Sequence, residues 1–203
     1  VVAGPQLACS DRWEVLFEGA GTHGAKPHLG RDPFPAAAQF LAALQTLPGR
    51  DIDPLEPAVV SACAIEAGDF AALNVIPDAV RIGGTARAFC PRVRDRIEAR
   101  LGRLAEATAA AHDCAARLDY RRGMPPVVND AQAAESAATA AVSVLGAARV
   151  RRSFPPSMAG DDFAEFSTRV PGAYVWLGNG PARDGALHHN TAYDFCDDAI
   201  PAG

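Results

Sequence analysis

A histidine set among glycines is the first feature of this sequence that could do chemistry. His23 follows Gly19 and Gly21 and precedes Gly24, with His28 further along. Glycines let backbone come close to a ligand. An imidazole there can donate a hydrogen bond to a developing oxyanion or act as a general acid or base. The same residues also suit an ordinary surface loop. Near the other end, His188 and His189 stand among Asp184, Asp194, Asp197 and Asp198. Imidazole with carboxylates suits a divalent metal, and equally a solvated polar loop. Neighbouring histidines point in different directions, so at most one of the pair is a ligand. A catalytic metal usually takes three or more protein ligands, and no HExxH, HxD or CxxC supplies them. Arg87, in a stretch of small and apolar residues, could clamp a carboxylate with two parallel hydrogen bonds or lie on an exposed face. Asn74, before Val75-Ile76-Pro77, is either a turn former or a ligand contact. Asp161-Asp162 suits the first turn of a helix, where the helix dipole favours carboxylates.

The composition narrows the field. Nineteen basic and 24 acidic side chains leave a net charge of −5. Without a basic tract, that balance argues against nucleic acid or an anionic membrane as the main partner. The chain is 49% hydrophobic and 21% charged, as a soluble folded protein is. No apolar run approaches the ~20 residues that cross a bilayer. No GxGxxG leading into a helix, P-loop or GxSxG is present, so nucleotide binding and serine hydrolysis lack support. Five scattered cysteines without a CxxC suit buried thiols in a reducing, cytoplasmic compartment. Val1-Val2-Ala3-Gly4-Pro5 has neither the basic nor the apolar region of a signal peptide, and reads as a chain entered part-way.

These residues need elements to position them. Trp13, Val15 and Phe17 alternate with Arg12, Glu14 and Glu18, which predicts a half-buried strand over 12–18. Asp32-Pro33 opens a helix with Phe34, Ala37, Leu41, Leu44 and Leu47 at helical spacing, and Pro48-Gly49 stops it. Strands are expected over 58–66, 80–89 and 116–121, with a helix from Pro91 carrying Val93, Ile97, Leu101 and Leu104 on one face. The order β-α-β-β-α-β is the ferredoxin-like pattern and fills about 10–122. The stretch from Gly123 to Asn129, with Pro125-Pro126, reads as a linker. Asp130 caps an Ala-rich helix to about Leu145. The apolar run Ala173–Leu177 predicts a buried central strand whose partners lie outside the chain.

Six ordered segments together resemble the aminoacylase and hippurate-hydrolase type of metallo-amidohydrolase. This group belongs to the co-catalytic zinc peptidase superfamily, with carboxypeptidase G and the indole-acetyl-amino-acid hydrolases. The segments are Gly21-Thr22-His23-Gly24-Ala25-Lys26-Pro27-His28 with Asp32-Pro33, Asn74-Val75-Ile76-Pro77-Asp78, Gly83-Gly84-Thr85-Ala86-Arg87, Ser157-Met158-Ala159-Gly160-Asp161-Asp162-Phe163, Pro171-Gly172-Ala173 through Leu177-Gly178-Asn179-Gly180, and Leu187-His188-His189-Asn190 with Tyr193-Asp194-Phe195. The resemblance implies an α+β chain: a ferredoxin-like lid and dimerisation domain (10–122) inserted in an incomplete α/β zinc-peptidase catalytic domain (1–9 and 123–203). It implies His23 as the lid histidine that stabilises the oxyanion, commonly in the partner subunit's site. Asn74 then lines that site, Arg87 holds the substrate carboxylate and His189 is the last metal ligand. It further implies two divalent ions (zinc, manganese, cobalt or nickel) in a complete enzyme, an N-acyl amino acid substrate and a homodimer. Nothing in the chain matches the family's other metal ligands or its catalytic glutamate, so these 203 residues alone are expected to be inactive. The family usually has Glu at the position of Asp161 and Asn at that of Cys196. A non-catalytic dimerisation or small-ligand module is the other reading.

Overall fold

In a computed structural model, which describes residues 1–180 and 189–202, the alternating segments build one antiparallel sheet. Strands β1 (Gly4–Leu7), β2 (Asp11–Glu18) and β3 (Thr22–His23) come first, followed by helices α1 (Pro33–Leu44) and α2 (Leu47–Asp51). Then come β4 (Ala58–Ala67), β5 (Val75–Ile76), β6 (Ala79–Ala88), α3 (Pro91–Ala110) and β7 (Ala115–Arg121). After these come β8 (Val127–Asn129), α4 (Ala131–Leu145), α5 (Phe163–Ser167) and a 3₁₀ helix over Asp197–Ala202. The four long strands lie in the order β4-β6-β2-β7, each neighbour antiparallel.

Period two sorts the sheet's faces. Trp13, Val15 and Phe17 of β2, and Val80, Ile82, Ala86 and Ala88 of β6, are buried with Phe40 and Leu44 of α1 and Val93, Ile97 and Leu101 of α3. Phe40 meets Phe17 and Trp13 edge-on at 5.5 and 6.0 Å. Both capping aspartates act as expected. Asp32 Oδ1 accepts from Phe34 N–H and Asp130 Oδ1 from Ala133 N–H, each at 2.9 Å.

Several expectations change. Pro48-Gly49 does not end a helix; α1 ends at Leu44 and Pro48 sits in the first turn of α2, where its missing N–H has no helical partner to lose. The stretch 123–129 is not a bare linker, since β8 pairs antiparallel with β1. Ala173–Leu177 is not a strand. Among the described residues no strand pairs with it, and Val175, Trp176 and Leu177 are exposed. Tyr174 instead gives its N–H and C=O to the buried amide of Asn129, at 2.6 and 2.9 Å. Of the five cysteines, all free thiols, only Cys9 is buried. Leu187, His188 and Asp184 lie outside the described residues.

Candidate functional site

His23 and Asn74, far apart in sequence, meet through backbone. β3 pairs with β5, His23 opposite Val75, and Gly24 N–H donates to Asn74 O at 2.7 Å. The glycines permit this approach. A Cβ at Gly21 would lie 2.9 Å from Ile76 O, and one at Gly24 3.3 Å from Asn74 O. The turn also sets the imidazole. Ala25 N–H donates to His23 Nδ1 at 3.0 Å, and Lys26 N–H closes the turn on His23 O at 2.7 Å. With Nδ1 accepting, the ring proton of the neutral imidazole belongs on Nε2. His23 and Asn74 are both exposed, and Leu73 and Val75 beside them are exposed as well. His28 sits in an exposed 3₁₀ turn over Pro27–Leu29.

Arg87 lies at the opposite end of β6, across from Val59. It is half-buried, and among the described residues it forms no ion pair. Its Nη1 is 3.4 Å from where a Cβ at Gly160 would stand, a point that also meets Ser10 Cβ at 3.3 Å and Ala8 O at 3.4 Å. The guanidinium therefore rests against the 157–162 loop, which Ala8 N–H ties down through Ser157 O and Ala159 O at 3.1 and 2.9 Å. The structure does not bring Arg87 to His23 and Asn74. They are separated by the length of β6 from Ala79 to Arg87, roughly 26 Å at 3.3 Å per residue.

Asp161 serves local structure. Its Oδ1 accepts from Phe163 N–H at 2.9 Å and its Oδ2 from Tyr174 Oη–H at 3.2 Å. Burial, helped by the Asp161 charge, raises the Tyr174 phenol above its ordinary range. His189 is exposed, with a left-handed backbone at φ 70°. The turn after it is held by Asn190, whose Oδ1 accepts from Ala192 N–H at 2.8 Å. Among the described residues no group of three His, Cys, Asp or Glu side chains is placed to hold a metal ion. The described residues thus do not by themselves fit a two-metal centre.

Three polar residues escaped the sequence reading. Asn179 donates to Tyr193 Oη and accepts from Cys196 N–H, at 2.7 and 2.8 Å, tying the 178–180 stretch to the histidine-bearing segment. Asn129 anchors 174 as described. Asp11, fully buried, accepts from Arg94, Tyr120 and Gly123. Burial and then the Asp11 hydrogen bond push the Tyr120 phenol far up, and burial with the Asp11 charge raises the Cys9 thiol. Burial alone would lower the Arg94 guanidinium, but Asp11 more than offsets it. One signal was available: Asp11 falls in register with Trp13, Val15 and Phe17, on the buried face of β2.

The family model for peptidase family M20/M25/M40 matches residues 15–203. An N-acetyl-L-cysteine deacetylase of Bacillus subtilis is 35% identical over 201 residues, covering 97% of this chain and 45% of the relative. A hippurate hydrolase of Campylobacter jejuni is 31% identical, covering 96% and 49%. The crystal structure of a dinuclear metal-binding peptidase of the M20 family from Bacillus subtilis superposes with a TM-score of 0.79 at 29% identity, covering 99% of this chain and 48% of that one. The chain thus spans about half the length of the relatives it matches.

Proposed function

The chain belongs to peptidase family M20/M25/M40, a family of hydrolases, and from that premise we propose that it forms part of a metal-dependent amidohydrolase that cleaves N-acyl amino acids. In this reading, residues 10–122 are a ferredoxin-like lid and dimerisation domain. Residues 1–9 and 123–203 are part of the catalytic domain. The β4-β6-β2-β7 order, with helices after β2 and β6, supports the first assignment. The relatives' printed activities support the substrate class.

The observation that carries the proposal is the His23 ring. Its Nδ1 is engaged by Ala25, which leaves Nε2–H as an outward donor with no partner among the described residues. A donor held by its own backbone turn is what an oxyanion requires, because it needs no reorganisation as charge develops. Arg87, half-buried and without an ion pair among the described residues, suits the substrate carboxylate. A pure dimerisation module has no use for either feature. Two divalent ions would supply Lewis-acid chemistry in the complete enzyme. This chain would contribute His189 to them, and the remaining ligands belong to other residues.

The separation of His23 from Arg87 bears on assembly. His23 lies at the sheet end remote from the 157–162 loop, which supports the reading that it serves a site in another copy of the chain, in a homodimer. The edge strand β4, with Ile65 58% exposed and no strand on its outer side among the described residues, supports this reading.

In the complete protein, His23→Ala should lower kcat about 10²–10³-fold, the usual loss for an oxyanion donor, with KM little changed. Mixing His23→Ala subunits with Arg87→Ala subunits should restore about a quarter of wild-type activity, since half the dimers are mixed and each holds one intact site. An unchanged kcat removes His23 from the reaction. Failure of the mixture to recover places its action within one subunit.

A further inference from the structure

The two segments that join the four-stranded sheet to the rest of the chain run side by side. Residues 8–10 enter β2, and residues 122–126 leave β7. Ser10 N–H donates to Met124 O at 3.0 Å. A Cβ at Gly123 would stand 2.1 Å from Ser10 O, so only glycine allows the segments this close.

Asp11 sits at this crossing with no exposed surface. Its carboxylate accepts from Arg94 Nε at 2.7 Å and Arg94 Nη2 at 2.5 Å. It also accepts from Tyr120 Oη–H at 2.8 Å and Gly123 N–H at 3.0 Å. Arg94 Nη2 donates in addition to Gly123 O at 2.9 Å, so both sides of that residue are held. One carboxylate therefore fastens α3, β7 and the segment beyond β7 to the first residue of β2.

Hydrophobic burial does not call for a charge here. The next positions on this face are Trp13, Val15 and Phe17, and a buried ion pair seldom stabilises more than apolar residues of the same volume. What the pair adds is direction, because a forked guanidinium–carboxylate bond fixes angle as well as distance. The direction matters on the far side of the crossing. Ala8 N–H is bonded to Ser157 O and Ala159 O, and Gly160 lies against Ser10 and Arg87. A rotation at the crossing would change the gap between Arg87 and the 157–162 loop.

We propose that Asp11, with Arg94 and Gly123, is a positioning residue that locks the crossing and so fixes Arg87 against the 157–162 loop for binding the substrate carboxylate. This rests on the reading of Arg87 given above.

The test uses the complete protein, with Asp11→Asn and the charge-free pair Asp11→Asn with Arg94→Gln, the second in case a lone buried arginine prevents folding. Turnover of N-benzoylglycine and N-acetylcysteine is measured with Arg87 present and in an Arg87→Ala background. The expected result is KM raised about tenfold with kcat within about threefold, and no further rise in KM once Arg87 is gone. An equal effect in both backgrounds, or a fall in kcat alone, overturns the proposal, since general loosening does not depend on Arg87. A second readout needs no activity. Spin labels carried by non-natural amino acids at the exposed positions Arg103 of α3 and Thr139 of α4 report the sheet's orientation. Their distance distribution should shift or broaden in the variants, and an unchanged distribution overturns the proposal. If the wild type cleaves neither substrate, or Arg87→Ala leaves KM unchanged, the functional reading fails and the label distances alone decide Asp11.

Discussion

Replacing Tyr120 by Phe removes one hydroxyl and nothing else of its shape. The lost bond is the 2.8 Å donation from Tyr120 Oη–H to Asp11 Oδ2, while Arg94 and Gly123 keep the carboxylate partnered. A hydrogen bond to a charged group contributes about 1.5–3 kcal/mol, so the variant should be less stable by that amount near pH 8. The difference should then shrink at high pH. Burial and Asp11 raise the Tyr120 phenol in the folded state, so the unfolded chain releases this proton first, near its ordinary pKa of about 10. Folded protein then binds more protons than unfolded, and the phenol's contribution, complete below pH 10, falls as pH rises above it. At pH 11 the wild type should have lost about 1.4 kcal/mol that the variant never had. Cys9, Cys114 and Tyr174 are also shifted upward, but both proteins share them and their effects largely cancel in the difference. Guanidinium unfolding followed by Trp13 fluorescence, with Trp176→Phe as the common background, gives the comparison at each pH. A gap that stays constant from pH 8 to 11 would refute the reasoning, because it would mean that Tyr120 ionises alike in the folded and unfolded chain.

The other predictions concern the core and the metal. Phe40→Ala should cost about 3–5 kcal/mol by urea unfolding, since the ring is fully buried against Trp13 and Phe17. Gly84→Ala places a Cβ 2.0 Å from Ser61 O and 2.4 Å from Trp13 Cζ2. The overpacking should cost about 1–3 kcal/mol and shift the Trp13 emission, and wild-type stability would exclude the close approach of β4, β6 and the indole. Removing divalent ions from the complete protein with a chelator should abolish amide hydrolysis, and zinc, manganese, cobalt or nickel should restore it. The unfolding midpoint reported by Trp13 should not move, because among the described residues no metal-holding group lies in the sheet.

Much of the fold is legible in residue order. The alternation in β2, the helical spacing of Val93, Ile97 and Leu101, and the capping pairs Asp32-Pro33 and Asp130 are local patterns, and local geometry is what they specify. The apolar run 173–177 misled because apolarity reports a preference for burial. It does not supply the neighbouring strand whose hydrogen bonds define a ladder. Asp11 and Asn129 went unread for a related reason. Their partners lie as far as 112 and 127 residues away, and although its register puts Asp11 on the buried face of β2, no local pattern identifies partners so remote.

By itself, the sequence determined the ordered motifs, the family they resemble, the alternation of strands and helices and the candidate residues His23, Asn74, Arg87 and His189. Tertiary structure alone decided how these residues stand to one another. Pairing β3 with β5 put His23 beside Asn74, and the Ala25 N–H set the imidazole's tautomer. The length of β6 then held both away from Arg87, which rests on the 157–162 loop instead. Those outcomes follow from hydrogen bonds and steric contacts between segments remote in sequence, which form only when the sheet's faces and register are fixed.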